Sequence, residues 1–82
     1  MSIEKRLSPR RNTMIEATIV FQAGRVRMDC IIRNLSETGA KLEVASVGGV
    51  PNTFDLITPG HRPHACRVAW RSLKEMGVEF VG

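Results

Sequence analysis

Tyrosine is absent from this 82-residue sequence, and its aromatic side chains are Phe21, Phe54, Trp70 and Phe80 alone. A small barrel that grips single-stranded nucleic acid needs aromatic platforms for the bases. Their scarcity makes nucleic acid an unlikely partner. Cysteine is nearly as rare, with only Cys30 and Cys66, each inside an apolar run. Two isolated thiols do not make a disulfide framework, so a reducing cytoplasm is the expected compartment. Met1 leads into polar and charged residues rather than a signal peptide. No apolar run approaches the length that spans a membrane.

Catalytic patterns are missing too. Asp29, Glu37, Glu43, Asp55, Glu75 and Glu79 stand singly, not paired for general acid–base work. There is no nucleophile elbow and no Cys/His signature. His61, His64 and Cys66 are ligand types gathered near a Pro/Gly turn. Their spacing fits no zinc pattern and a fourth ligand is lacking, so they read as two turn histidines and a core thiol. The expectation is a binding protein with no enzymatic activity, metal or cofactor.

What is present is alternation. Hydrophobic residues make up 43% of the chain, enough for one small globular core. Ile15, Ala17, Ile19 and Phe21 alternate with Glu16, Thr18, Val20 and Gln22. After a turn at Ala23-Gly24, Val26, Met28, Cys30 and Ile32 share a second strand face. Ala40, Leu42 and Val44 continue the pattern, followed by the Gly/Pro loop 47–52 and a short strand over 53–58. Cys66, Val68 and Trp70 then share a face, and so do Met76, Val78 and Phe80. Period two over six short segments, with no 3.6 period, predicts an all-β, six-stranded antiparallel β-barrel. Residues 1–12 carry no period and contain Pro9. They read as a flexible N-terminal arm, leaving 13–82 for the barrel.

The net charge of +4 is uneven: Lys5, Arg6, Arg10 and Arg11 against Glu4 place most of it in the arm. Such an arm suits an anionic partner or is a solvated tail. Arg6 and Arg10 are four residues apart, so in an extended chain they project to one side. A guanidinium bonds bidentately to phosphate or to the O6/N7 edge of guanine. A second stretch, "NLSETG" at 34–39, carries Asn34, Ser36 and Gly39. Taken alone it is a hairpin loop in which Asn and Ser bond nearby backbone and Gly takes a positive φ. The same residues can present an amide and a hydroxyl to a ligand, with a bare Gly for close approach.

Together, Arg6-x-x-x-Arg10 followed by Asn34-x-Ser36-x-x-Gly39 resembles the PilZ domain family of bacterial cyclic di-GMP receptors. The closing "CRVAWRSLKEMGVEF" at 66–80 is similar to that family's last strands, so the resemblance covers nearly the whole chain. It implies a six-stranded barrel with the nucleotide on its outer surface, the arm over the ligand and the loop on its other side. Arg6 and Arg10 would take guanine edges and phosphates. Asn34 and Ser36 would contact a guanine or the ligand backbone, and Gly39 would allow close approach. Trp70 would lie beside the nucleotide or pack in the core. Lys5 and Arg11 would add phosphate contacts. Asn34 stands where the family more often has Asp, which removes a carboxylate that can accept both donors of a guanine edge. The resemblance also implies a downstream protein partner and a role in motility, surface polysaccharide or biofilm control. Two alternatives stand beside it: a PilZ-like adaptor that binds protein and no nucleotide, and a barrel for single-stranded nucleic acid.

Overall fold

The computed structural model describes residues 11–81. Its strands are β1 (Arg11–Phe21), β2 (Val26–Leu35), β3 (Gly39–Glu43), β4 (Thr53–Ile57), β5 (His64–Arg71) and β6 (Glu75–Phe80). They close into a barrel in the order β1-β2-β3-β6-β5-β4, with every neighbouring pair antiparallel. The expected six-stranded barrel is therefore the fold. Consecutive strands form hairpins except at β3–β4, where residues 44–52 cross to set β4 beside β1. Closure leaves no open sheet edge.

Alternation fills the interior. Ile19, Ile32, Leu42, Leu56 and Met76 are fully buried, and Ala17, Cys30, Val44, Val50, Phe54, Cys66 and Val78 complete the core. Val20 departs from the expected pattern. It is buried from the outward row but lies outside the core cluster, flanked by its cross-strand neighbours Arg27 and Asp55. The crossover loop is tied down at both ends. Arg71 donates from Nη1 to Val47 O (2.8 Å) and from Nη2 to Asn52 Oδ1 (3.0 Å), while Val50 of the loop joins the core.

Three β-bulges break the alternation, each by placing one extra residue on one strand. On β1 the register shifts between Asn12 and Ile15, where Thr13 donates its hydroxyl to Ile32 O and Met14 is exposed. On β2 it shifts at Arg33 relative to β3, and on β5 at Ala69 relative to β6. A one-residue slip moves the following side chains to the opposite face.

These bulges and cross-strand pairings move the strand ends. β1 begins at Arg11, inside the span assigned to the arm, because Arg11 and Asn12 pair with Leu35 and Asn34. β2 correspondingly runs through Asn34 and Leu35, so Asn34 is a strand residue rather than a loop residue. His64 likewise opens β5 rather than sitting in the turn.

Both cysteines are buried free thiols. Burial pushes Cys30 up to about 12, with the nearby Asp29 adding to it. Burial does the same to Cys66, with Asp55 and Cys30 adding, also to about 12. Neutral thiols stay the favoured form, so native protein at pH 8 is expected to resist iodoacetamide until it is unfolded. The pH dependence has a definite sign. A folded-state value raised above 9.0 gives stability that is complete below that pH and falls as pH rises toward about 12. Native labelling at the rate of a free cysteine peptide would contradict this burial.

Candidate functional site

The bulges assemble one outward-facing row across four strands. Asn34 on β2 pairs with Lys41 on β3, Lys41 with Gly77 on β6, and Gly77 with Trp70 on β5. Directly paired residues share a sheet face. That face is outward because Lys41 and Gly77 alternate with the fully buried Leu42 and Met76. At about 4.8 Å per strand the row is about 14 Å long. A second outward row pairs Gly39 with Glu79, and Glu79 with Arg67. Between the rows lies a cleft of about 420 Å³ whose lining includes Ser36, Gly39, Lys41, Trp70, Gly77 and Glu79. A larger cleft of about 650 Å³, at Ala17, Cys30, Val44 and Ile57, contains none of the motif residues.

Trp70 was open between core and surface, and core packing is not its role. Alternation from Cys66 and Val68 points it inward, but the extra residue at Ala69 turns it out, and it is 45% exposed. Its indole lies directly over Gly77, where any Cβ would overlap Nε1 and Cε2. Gly77 therefore makes the recess in which the indole rests against the barrel wall, with part of its surface still open to solvent.

Ser36 has a definite local task. Its Oγ accepts the amides of Gly39 (3.2 Å) and Thr38 (3.3 Å), and its own amide donates to Gly39 O (2.9 Å). Such a hydroxyl-capped turn fixes the short β2–β3 connection. Asn34 lies at the row's end, and its side chain has no hydrogen-bond partner among the described residues. Gly39 does not take the positive φ expected of a turn glycine. It is glycine for a different reason: a Cβ there would overlap the carbonyl oxygen of Val78 across the β3–β6 ladder.

Three ion pairs form among the described residues. Arg67 holds Glu79 at 2.8 Å and Arg33 holds Glu43 at 2.7 Å, whereas Lys41 lies 3.9 Å from Glu75. At the edge of the cleft, which Phe80 helps to line, His64 stacks on Phe80 with ring centroids 4.7 Å apart, and Cys66 donates to His64 O at 3.4 Å. These groups serve the barrel wall. Among the described residues no three His, Cys, Asp or Glu side chains gather around a point.

The structure thus brings Asn34, Ser36, Gly39 and Trp70 to one surface. Lys5, Arg6 and Arg10 lie outside the described residues. Arg11 opens β1, where backbone pairing with Leu35 sets the start of the barrel beside Asn34. Lys41 and Gly77 are among the cleft residues that the sequence reading did not single out. The signal for Lys41 was its position two residues beyond Gly39, which in a strand is the same face.

Among family models, the PilZ domain matches this chain over residues 4–82. No curated protein matches it.

Proposed function

The chain belongs to the PilZ domain family, a family of cyclic di-GMP receptors and adaptors, and from that premise we propose that it binds cyclic di-GMP in the cleft lined by Ser36, Gly39 and Trp70, with Asn34 beside it at the end of the row. Arg6 and Arg10 take guanine edges and phosphates from the arm side, with Lys5 and Arg11 as further phosphate partners. Asn34 offers its amide to a guanine, Ser36 fixes the turn and presents its hydroxyl edge, and Trp70 offers a ring face to a base. The ligand joins arm to barrel and so changes the surface that a partner protein meets.

One observation carries this reading. Pairing of Arg11 with Leu35 and of Asn12 with Asn34 makes the arm enter the barrel beside the second motif. The start of the barrel and the second motif, more than twenty positions apart in sequence, thereby become neighbours, and the cleft lined by Ser36, Gly39 and Trp70 lies beside them.

Because Trp70 is the sole tryptophan, its fluorescence reports on the cleft without a label. Cyclic di-GMP is expected to quench or shift that emission saturably, and isothermal titration should give heat with the same midpoint. A folded sample that gives neither signal at high micromolar concentration would overturn nucleotide binding and leave the protein-only adaptor.

A further inference from the structure

We infer that Lys41 is the phosphate-binding residue on the barrel side of this cleft. The inference rests on the cyclic di-GMP reading but names a residue that neither sequence motif contains. Only Lys41 and Glu79 carry charge among the described residues lining the cleft. Glu79 is engaged by Arg67 at 2.8 Å, so its carboxylate is largely offset. Lys41 is left as the cationic group on the cleft floor.

Its position suits an anion. It occupies the middle of the row, with Asn34 on one side and Gly77 on the other. Gly77 beside it adds no side chain of its own, and the Trp70 indole rests over that glycine, so Lys41 neighbours the ring. A ligand whose base meets Trp70 and whose other end reaches Asn34 therefore passes over Lys41 with its charged middle. The ammonium is also free to turn. At 3.9 Å from Glu75 Oε2 it lies beyond hydrogen-bond distance, and its side chain is partly exposed. Lysine fits the task because it is a point charge on a flexible stem, able to follow a phosphate.

Glu75 is then a competitor, holding the same ammonium loosely in the free protein. This gives the test two arms of opposite sign. Lys41→Met is expected to weaken cyclic di-GMP binding about tenfold, the size of one charge-assisted contact. It should also reduce the salt dependence of that binding, because one cation no longer meets the ligand. Glu75→Gln is expected to tighten binding about twofold, and Lys41→Arg to retain most of the affinity. Melting temperatures of all three should stay near that of the parent, since both side chains are on the outer surface. Unchanged affinity and salt dependence in Lys41→Met, with binding by the parent intact, would overturn the assignment to Lys41 alone. No binding by the parent protein would overturn the receptor reading and this inference with it.

Discussion

Gly39→Ala is expected to destabilise the free protein by about 3 kcal/mol. For a chain of this size that is a fall in Tm of about 15 °C. The cause is steric and lies wholly in the barrel. The added methyl would meet the carbonyl oxygen of Val78, a backbone atom that cannot rotate away as a side-chain tip can. Relief requires β3 and β6 to separate at the Gly39–Glu79 pair. That loosens Ser36, whose hydroxyl accepts the Gly39 amide, and the Thr38 carbonyl, which accepts the Phe80 amide at 2.8 Å. Thermal unfolding without ligand measures the effect. Were Gly39 glycine only to admit a ligand, alanine would leave Tm in place and affect binding alone. A melting temperature within a degree or two of the parent would therefore reject the steric account. Loss of binding in this variant would not, by itself, show that Gly39 touches the ligand.

Arg10→Ala should show the opposite division, with binding lost and stability kept. A guanidinium that bonds a guanine edge bidentately is worth about 1–3 kcal/mol of discrimination. Loss of a phosphate contact adds to this, so a fall in affinity of about a hundredfold is expected. Arg10 precedes the first strand, which opens at Arg11, and among the described residues the buried core begins only at Ala17. The change in unfolding free energy should accordingly stay within about 0.5 kcal/mol. Arg6→Ala is the companion measurement and should behave alike. Isothermal titration and thermal unfolding on the same samples decide the matter. A marked fall in Tm would show that the arm is structural, and unchanged affinity would remove Arg10 from the site.

The barrel was legible because period-two burial is written along each strand: Ile15, Ala17 and Ile19 on β1, Met76 and Val78 on β6. The candidate site was only partly legible. Asn34, Ser36 and Gly39 stand close in sequence, so a motif could show them. Which way Trp70 faces could not be read, because the extra residue at Ala69 carries no local signature and is defined only by pairing with β6. The same holds for Arg33, whose bulge on β2 places Asn34 opposite Lys41. The positive φ expected at Gly39 is not there. Turn chemistry suggested a special φ, whereas the real constraint comes from Val78, thirty-nine positions away. Local propensity carries no information about contacts of that separation.

The surplus residue in β5 makes the indole's position a matter of counting. Val68 faces in and Trp70 faces out only because Ala69 intervenes without a partner. A register in which Ala69 paired with Gly77 would restore unbroken alternation, set Trp70 opposite the fully buried Met76 and turn the indole inward. The strand's sequence would be unchanged, yet the cleft would lose its ring face. Deletion of Ala69 would instead straighten the strand and leave Trp70 next to the inward Val68, still facing out. The indole's exposure thus belongs to the pairing register of β5 with β6 rather than to the composition of the strand.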